Sequence, residues 1–77
     1  MNPVPTKKWI RFLKINGVVF KRMGKGDHEI WDKIDGSLSR PITFISAEKE
    51  IPPMHIRTNL KTLGIDYKDF LKIIKDV

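Results

Sequence analysis

The chain of 77 residues contains no cysteine and no long uninterrupted hydrophobic run. Without cysteine there can be neither a disulfide framework nor a thiolate metal site, which excludes disulfide-rich secreted domains and zinc ribbons. Because no apolar stretch reaches the length of a signal peptide or a membrane span, we expect neither a secretory leader nor a transmembrane segment. These absences favour a reducing compartment, so we expect a cytoplasmic location.

Acidic residues are missing from the first third of the chain. Residues 1–26 carry seven Lys and Arg and no Asp or Glu, whereas the remaining residues carry eight basic and nine acidic side chains. The whole net charge of +6 therefore arises in the N-terminal part. A cationic surface binds polyanions, because each neutralised phosphate releases condensed counterions. The charge pattern is compatible with a nucleic-acid partner, and also with a small basic protein that is merely soluble.

Local patterns predict one α+β domain over residues 1–77. Apolar residues at helical spacing predict a first helix over residues 6–16, with Thr6 as its N-cap and Trp9 on its buried side. β-Branched and aromatic residues, separated by glycine-containing turns, then predict three strands. These strands are expected at residues 18–23, 28–33 and 41–45. Short turns between consecutive strands make the sheet an antiparallel meander.

Two further helices are expected in the C-terminal part of the chain. The first begins at Ile51-Pro52-Pro53 and ends at Gly64, and Asp66 caps a short last helix. The buried side of this last helix is expected to carry Phe70, Leu71 and Ile74. The predicted order is therefore α-β-β-β-α with a short extra C-terminal helix, in which the helices pack on one face of a three-stranded antiparallel sheet.

Alternation along the second strand assigns its side chains to two faces. One face carries His28, Ile30 and Asp32, and the other carries Glu29, Trp31 and Lys33. Because charged residues share its face, Trp31 could be exposed and stack on a base or dock a partner. It could equally belong to the core, and the sequence leaves this open.

The residues GKGDHE at positions 24–29 place His28 at the start of a strand, directly after a glycine-rich turn. Histidine is the side chain that most readily exchanges a proton near neutral pH. RNA carries its own nucleophile, the ribose 2′-hydroxyl, so its cleavage needs only a proton-transfer group and cations around the phosphate. Lys21, Arg22 and Lys25 lie shortly before His28 in the sequence and could supply those cations. The alternative is an ordinary turn histidine that makes a local hydrogen bond.

Other chemistry finds little support. The GKG turn lacks the length and the following Lys-Ser/Thr of a phosphate loop, and the two histidines do not have metal-ligand spacing, so we expect no metal site and no cofactor. His55 is expected to be a surface residue of the second long helix. Lys7 and Lys8, with Arg11 and Lys14, form a basic helix face that is either simply solvated or follows a phosphate backbone.

Three stretches of the chain resemble the HicA toxins, also called YcfA-like mRNA interferases. They read TKKWIRFLKINGVVFKRMGKGDHEIW, DGSLSRPITF and KEIPPMHIRTNLKTLGIDYKDFL. The most specific features are the Gly-x-His that follows the first long strand and the Lys-Glu-Ile-Pro loop that leads into a helix ending in Leu-Gly-Ile. The resemblance covers nearly the whole chain, from Thr6 to about Leu71.

The resemblance implies a fold like the double-stranded-RNA-binding domain and a metal-independent endoribonuclease centred on His28, with Gly26 shaping the turn. It also implies a type II toxin–antitoxin system in which a HicB-like antitoxin covers the site. RNA would be held by Lys21, Arg22, Lys25 and Gly26, together with Lys7 and Lys8. The chain departs from the family at Asp27, where Ser or Thr is common, and at Ile45-Ser46-Ala47, where many members carry a second histidine.

Three functions therefore compete. The first is a single-histidine endoribonuclease toxin that cuts mRNA. The second is a nucleic-acid-binding module of the same fold without catalysis, whose basic N-terminal part supplies non-specific affinity. The third is a protein-binding partner that docks another chain through an open sheet edge or Trp31.

Overall fold

A computed structural model describes residues 2–77. The elements, in chain order, are β1 (Val4–Pro5), α1 (Thr6–Ile15), β2 (Val18–Met23), β3 (His28–Lys33), β4 (Ile42–Ile45), β5 (Glu50–Ile51), α2 (Pro53–Leu63) and α3 (Tyr67–Ile74). β2, β3 and β4 form an antiparallel sheet in that order, and β1 pairs separately with β5. The predicted α+β class, the three-strand meander and the extra C-terminal helix are confirmed. The short strands β1 and β5 were not predicted.

Local chemistry sets the helix ends. α1 ends at Ile15 and is followed by its C-cap Asn16 and by Gly17, whose φ of 75° lies in the left-handed region. α2 begins at Pro53, where the missing backbone N–H is not needed. It ends at Leu63 and is capped by Gly64, which has a left-handed φ of 72°. No helix within residues 2–77 has both the length and the apolar character needed to cross a membrane.

Aromatic side chains fill the centre of the core between the helices and the sheet. The indole of Trp9 stacks on Phe12 with ring centroids 5.5 Å apart and meets Phe44 and Phe70 edge-on. All four side chains are essentially inaccessible to solvent. The predicted burial of Trp9 and Phe70 is confirmed. The prediction for Leu71 is wrong, since 41% of that residue is exposed and the narrow buried stripe of α3 centres on Phe70.

The sheet register decides the orientation of Trp31. Trp31 and Glu29 of β3 pair with Ile42 and Phe44 of β4, and both β4 residues are buried. The face of β3 that carries Glu29 and Trp31 therefore points toward the core. Only 4% of Trp31 remains exposed. Trp31 is therefore a core residue, and the side chain does not present its indole face to solvent. We call the opposite side of the sheet, which carries His28 and Ile30, the open face.

The N-terminal residues close the domain by pairing with the segment that precedes α2. Val4 pairs with Ile51 and Pro5 with Glu50, and Thr6 donates its backbone N–H to the carbonyl of Lys49 over 2.9 Å. The prediction that Thr6 is an N-cap is wrong. Pro5 occupies the cap position, and the Thr6 hydroxyl donates instead to the carbonyl of Glu48 at 2.6 Å. We call this arrangement, β1 with β5 and the two Thr6 bonds, the terminal clasp.

The two outer strands of the sheet have different surroundings. α2 packs against β4, and the buried amide of Asn59 donates a hydrogen bond of 3.1 Å to the carbonyl of Thr43. β2 lies at the other side of the sheet, and among residues 2–77 it pairs with β3 alone. The last four residues of β2 are all exposed. Asp66 occupies the N-cap position of α3 as predicted, although its side chain makes no capping bond within the described chain.

Candidate nucleic-acid interface

The β2–β3 turn depends on two glycines for different reasons. Gly26 has a φ of 65°, a backbone conformation that costs a residue with a side chain roughly 1–2 kcal/mol. At Gly24 a Cβ atom would lie 2.9 Å from Cδ1 of Ile30, so a side chain at this position would require the end of the Ile30 side chain to move. The Gly24 N–H donates to the carbonyl of His28 over 2.7 Å, which closes the turn. The turn therefore fixes the backbone of His28 at the first position of β3.

The His28 side chain is exposed and has one defined polar contact. Nδ1 lies 3.2 Å from the backbone carbonyl oxygen of Lys25. A carbonyl oxygen only accepts hydrogen bonds, so Nδ1 must carry the hydrogen in this contact. In the neutral ring Nε2 then holds the lone pair. Nε2, the nitrogen that can accept a proton, is therefore the one that does not contact the Lys25 carbonyl.

A β-bulge determines which face Arg22 occupies. Phe20 pairs with Trp31, but the next pair is Arg22 with Ile30, so Lys21 is an extra residue in β2. In a regular strand, Arg22 would lie on the same face as Phe20 and Trp31, because side chains alternate. The bulge instead places Arg22 opposite Ile30, on the open face that His28 also occupies. The hydrophobic alternation of the sequence does not reveal this bulge.

The predicted cations Lys21, Arg22 and Lys25 are thus gathered at one end of the hairpin with Gly26 and His28. All five residues are exposed. We call this set the hairpin site. Asp27, which stands where the HicA resemblance leads one to expect Ser or Thr, lies in the same turn and is also exposed. Residues 21–28 contain three cations and this one acidic residue, so the hairpin end remains net positive.

Glu29 connects the start of β3 to the end of β4 beneath the hairpin site. Its carboxylate accepts a hydrogen bond of 2.9 Å from Nε1 of Trp31 and another from the hydroxyl of Ser46. The amphipathic indole is therefore buried with its N–H satisfied. Because Glu29 follows His28 directly, the bond from Ser46 joins the start of β3 to the residue that follows β4. The alternation of β3 predicted that Glu29 and Trp31 share a face, whereas Ser46 could not be assigned to them from sequence.

Lys7 and Lys8, which the sequence grouped together, lie in different places. Lys7 lines a cleft with Ile10, Ser46 and Ala47, next to the end of β4 that pairs with His28. Lys8 lines another cleft with Tyr67 and Leu71 of α3. Successive residues of an α-helix point about 100° apart, so adjacent lysines need not share a surface. The structure brings Lys7 toward the hairpin side of the molecule and leaves Lys8 beside α3.

The other candidate residues have simpler roles. His55 is exposed near the start of α2, as predicted. Across residues 2–77, His, Cys, Asp and Glu side chains do not gather in groups of three or more that could hold a metal ion.

No protein-family model, curated protein or solved structure matches the chain.

Proposed function

We propose that this protein is an endoribonuclease of the HicA type, an mRNA interferase toxin of a type II toxin–antitoxin system, with a fold related to the double-stranded-RNA-binding domain. The observation that supports the proposal is the hairpin site itself: an exposed histidine whose Nδ1 contacts the carbonyl of Lys25, on a strand and turn that also carry three exposed cations. The quoted sequence resemblance supports the same function. We place the protein in the cytoplasm, where mRNA is found, and we assign it a HicB-like antitoxin that covers the hairpin site.

The proposed reaction uses the RNA as its own nucleophile. Nε2 of His28 removes the proton from a ribose 2′-hydroxyl, and the oxygen attacks the adjacent phosphorus. The bond from phosphorus to the 5′-oxygen breaks, and that oxygen takes a proton from the imidazolium or from water. The products are a 2′,3′-cyclic phosphate and a 5′-hydroxyl, so no metal or cofactor is consumed or required. Lys21, Arg22 and Lys25 stabilise the additional negative charge that develops on the phosphate oxygens.

Lys7 extends the proposed RNA surface toward the end of β4. Its cleft contains Ser46, which bonds to Glu29, the neighbour of His28. Lys8 contributes to RNA binding in this proposal from the α3 side of α1, and we expect its contribution to be the smaller of the two. Gly26 contributes indirectly, because its left-handed backbone conformation allows the turn that leads into His28.

The second candidate is an RNA-binding module without catalysis. One observation favours it: Nδ1 of His28 contacts a backbone carbonyl, and not a carboxylate that would stabilise the imidazolium during proton transfer. The same cations would bind RNA in either case. Cleavage therefore has to be measured separately from binding.

The deciding experiment incubates purified protein with RNA and analyses the ends of the products. We expect cleavage that leaves 2′,3′-cyclic phosphate ends and that falls by about 10²–10⁴-fold in His28→Ala, the usual contribution of a general acid–base group. The matched control is His55→Ala, which removes the other exposed histidine of the chain. A His28→Ala protein that cuts RNA as fast as the wild type would overturn the catalytic assignment. RNA binding without cleavage by the wild type would establish the second candidate.

A further inference from the structure

A cationic cleft lies at the start of β4, the end of the strand that is farther from the hairpin site. It is lined by Ser39 and Arg40 of the loop before β4 and by Thr58, Lys61 and Thr62 of α2. The three α2 residues share one helix face, since they are spaced at i, i+3 and i+4. Every lining residue is polar, and two of the five are cationic. We call this surface the Arg40 cleft.

Arg40 and Lys61 are brought to one cleft without a carboxylate among its lining residues, within the described chain. Residues 36–47 and 51–65 contain Arg40, Arg57 and Lys61 and no Asp or Glu. The even charge of the C-terminal part therefore results from acidic residues outside these two segments. Two like charges that share a cleft repel each other, and a bound anion relieves this repulsion.

The available donors fit a phosphate group. The Arg40 guanidinium can bind two phosphate oxygens at once, and Lys61 adds a point charge. The hydroxyl of Thr58 donates to the carbonyl of Met54, and that of Thr62 donates to the carbonyl of Thr58. These threonines therefore form the walls of the cleft, while Ser39, Arg40 and Lys61 are left to donate to an anion.

The position of the cleft relates it to the hairpin site. Arg40 and Ile45 are five residues apart, so their Cα atoms are separated by at most about 18 Å. Ile45 pairs with His28, and exposed Thr43 lies between the two ends on the open face of the sheet. An RNA strand that crosses β4 can therefore reach both places.

We propose that the Arg40 cleft binds a backbone phosphate of the RNA strand whose scissile phosphate lies at His28. The cleft would hold the strand at a second point and so fix its direction across the sheet. This inference rests on the proposed function for the identity of the ligand, although phosphate binding itself needs no catalysis.

The test measures binding in a His28→Ala background, so that the RNA stays intact. The probe is a single-stranded RNA of about 12 nucleotides, within the range covered by one small binding fold. Arg40→Gln with Lys61→Gln is compared with Lys68→Gln with Lys72→Gln on α3, because both pairs remove two positive charges from exposed positions. We expect the first pair alone to reduce the slope of log affinity against log salt by about 0.7, the value for one neutralised phosphate of a single strand.

Thermal unfolding of both double variants verifies that each is folded. Lys61→Glu reverses one charge of the cleft and should weaken RNA binding more than Lys61→Gln, which only removes that charge. Equal slopes for the two pairs, or no binding of this RNA by the parent protein, would overturn the proposal. If His28→Ala still cuts RNA but the Arg40 pair loses the expected slope, the catalytic assignment fails and the phosphate site stands. If cleavage depends on His28 and the two pairs of variants have equal slopes, the catalytic assignment stands and the phosphate site fails.

Discussion

β2 and β4 are the two outer strands of the same sheet, and they are built differently. β4 carries buried Ile42 and Phe44 and is bonded to α2 through Asn59. β2 buries Val18 at its start and then exposes its last four residues, two of which are basic. The domain therefore obtains stability at β4, whereas its proposed chemistry lies at the other side of the sheet, at the end of β2, in the β2–β3 turn and at His28 of β3. An exposed outer strand invites unwanted pairing, and the bulge and the charges of β2 discourage it.

The largest effect on stability is expected at the β4 side. Asn59→Ala removes a buried amide and leaves the carbonyl of Thr43 without its side-chain donor, which should lower the free energy of unfolding by about 1–3 kcal/mol. Urea unfolding measures the change. The matched control is Asn2→Ala, which removes an exposed amide and should change stability by no more than about 0.5 kcal/mol. RNA cleavage by the folded Asn59→Ala protein should equal that of the wild type; a loss of cleavage would mean that the two sides are coupled.

Substitutions at two turn glycines, Gly26 and Gly36, should separate an effect on stability from an effect on activity. Gly26→Ala and Gly36→Ala each place a side chain at a positive φ with open space around the new Cβ, so each should lose about 1–2 kcal/mol of unfolding free energy. Gly26→Ala should in addition reduce RNA cleavage, because it alters the turn that orients His28. Gly36 lies in the turn after β3, and its substitution should leave cleavage unchanged. Equal cleavage by both variants would remove the turn from the site.

The cations of the hairpin end should act on binding and hardly on stability. Lys21→Ala, Arg22→Ala and Lys25→Ala should each weaken RNA binding to a similar degree for all sequences and reduce the salt slope by about 0.7. Lys68→Ala and Lys72→Ala on α3 are the controls, because any lost positive charge weakens polyanion binding a little. Fluorescence anisotropy at several salt concentrations gives the slopes. Equal losses in both groups would indicate diffuse attraction to a basic protein, with no organised site on β2.

The smallest expected effect is that of a chelator. The proposed reaction needs only a histidine, cations and the RNA 2′-hydroxyl, so EDTA should not change the cleavage rate. Cleavage that EDTA abolishes and a divalent ion restores would contradict the proposed mechanism.

Much of the fold could be predicted because periodicity and turn residues act locally. Helical spacing identified the buried side of α1, and glycine and proline marked the ends of α1 and α2. The terminal clasp could not be predicted, because two-residue strands have no periodicity and their pairing joins distant parts of the chain. Thr6 illustrates the difficulty: its side chain was expected to cap its own helix, yet a distant carbonyl accepts its hydroxyl hydrogen bond.

The candidate site was predictable as a group of residues but not as an arrangement. The turn glycines and the neighbouring cations made His28 a candidate beside an ordinary turn histidine, and the resemblance to the HicA toxins then favoured His28 as the catalytic group. The face occupied by Arg22 depends on a bulge, and the burial of Trp31 depends on its register with β4; both are properties of paired strands. Lys7 and Lys8 were grouped because they are adjacent, whereas helix geometry directs them to different clefts.

The terminal clasp has a consequence for the order of folding. The β2–β3–β4 meander joins residues that are close in the chain, whereas β1 meets β5 only after a loop of more than forty residues has closed. Closing a long loop costs more chain entropy than closing a hairpin, so contacts of low sequence separation form earlier. The hairpin that carries His28 should therefore be largely formed in the transition state, with high φ-values, while substitutions at Val4 or Ile51 should mainly accelerate unfolding.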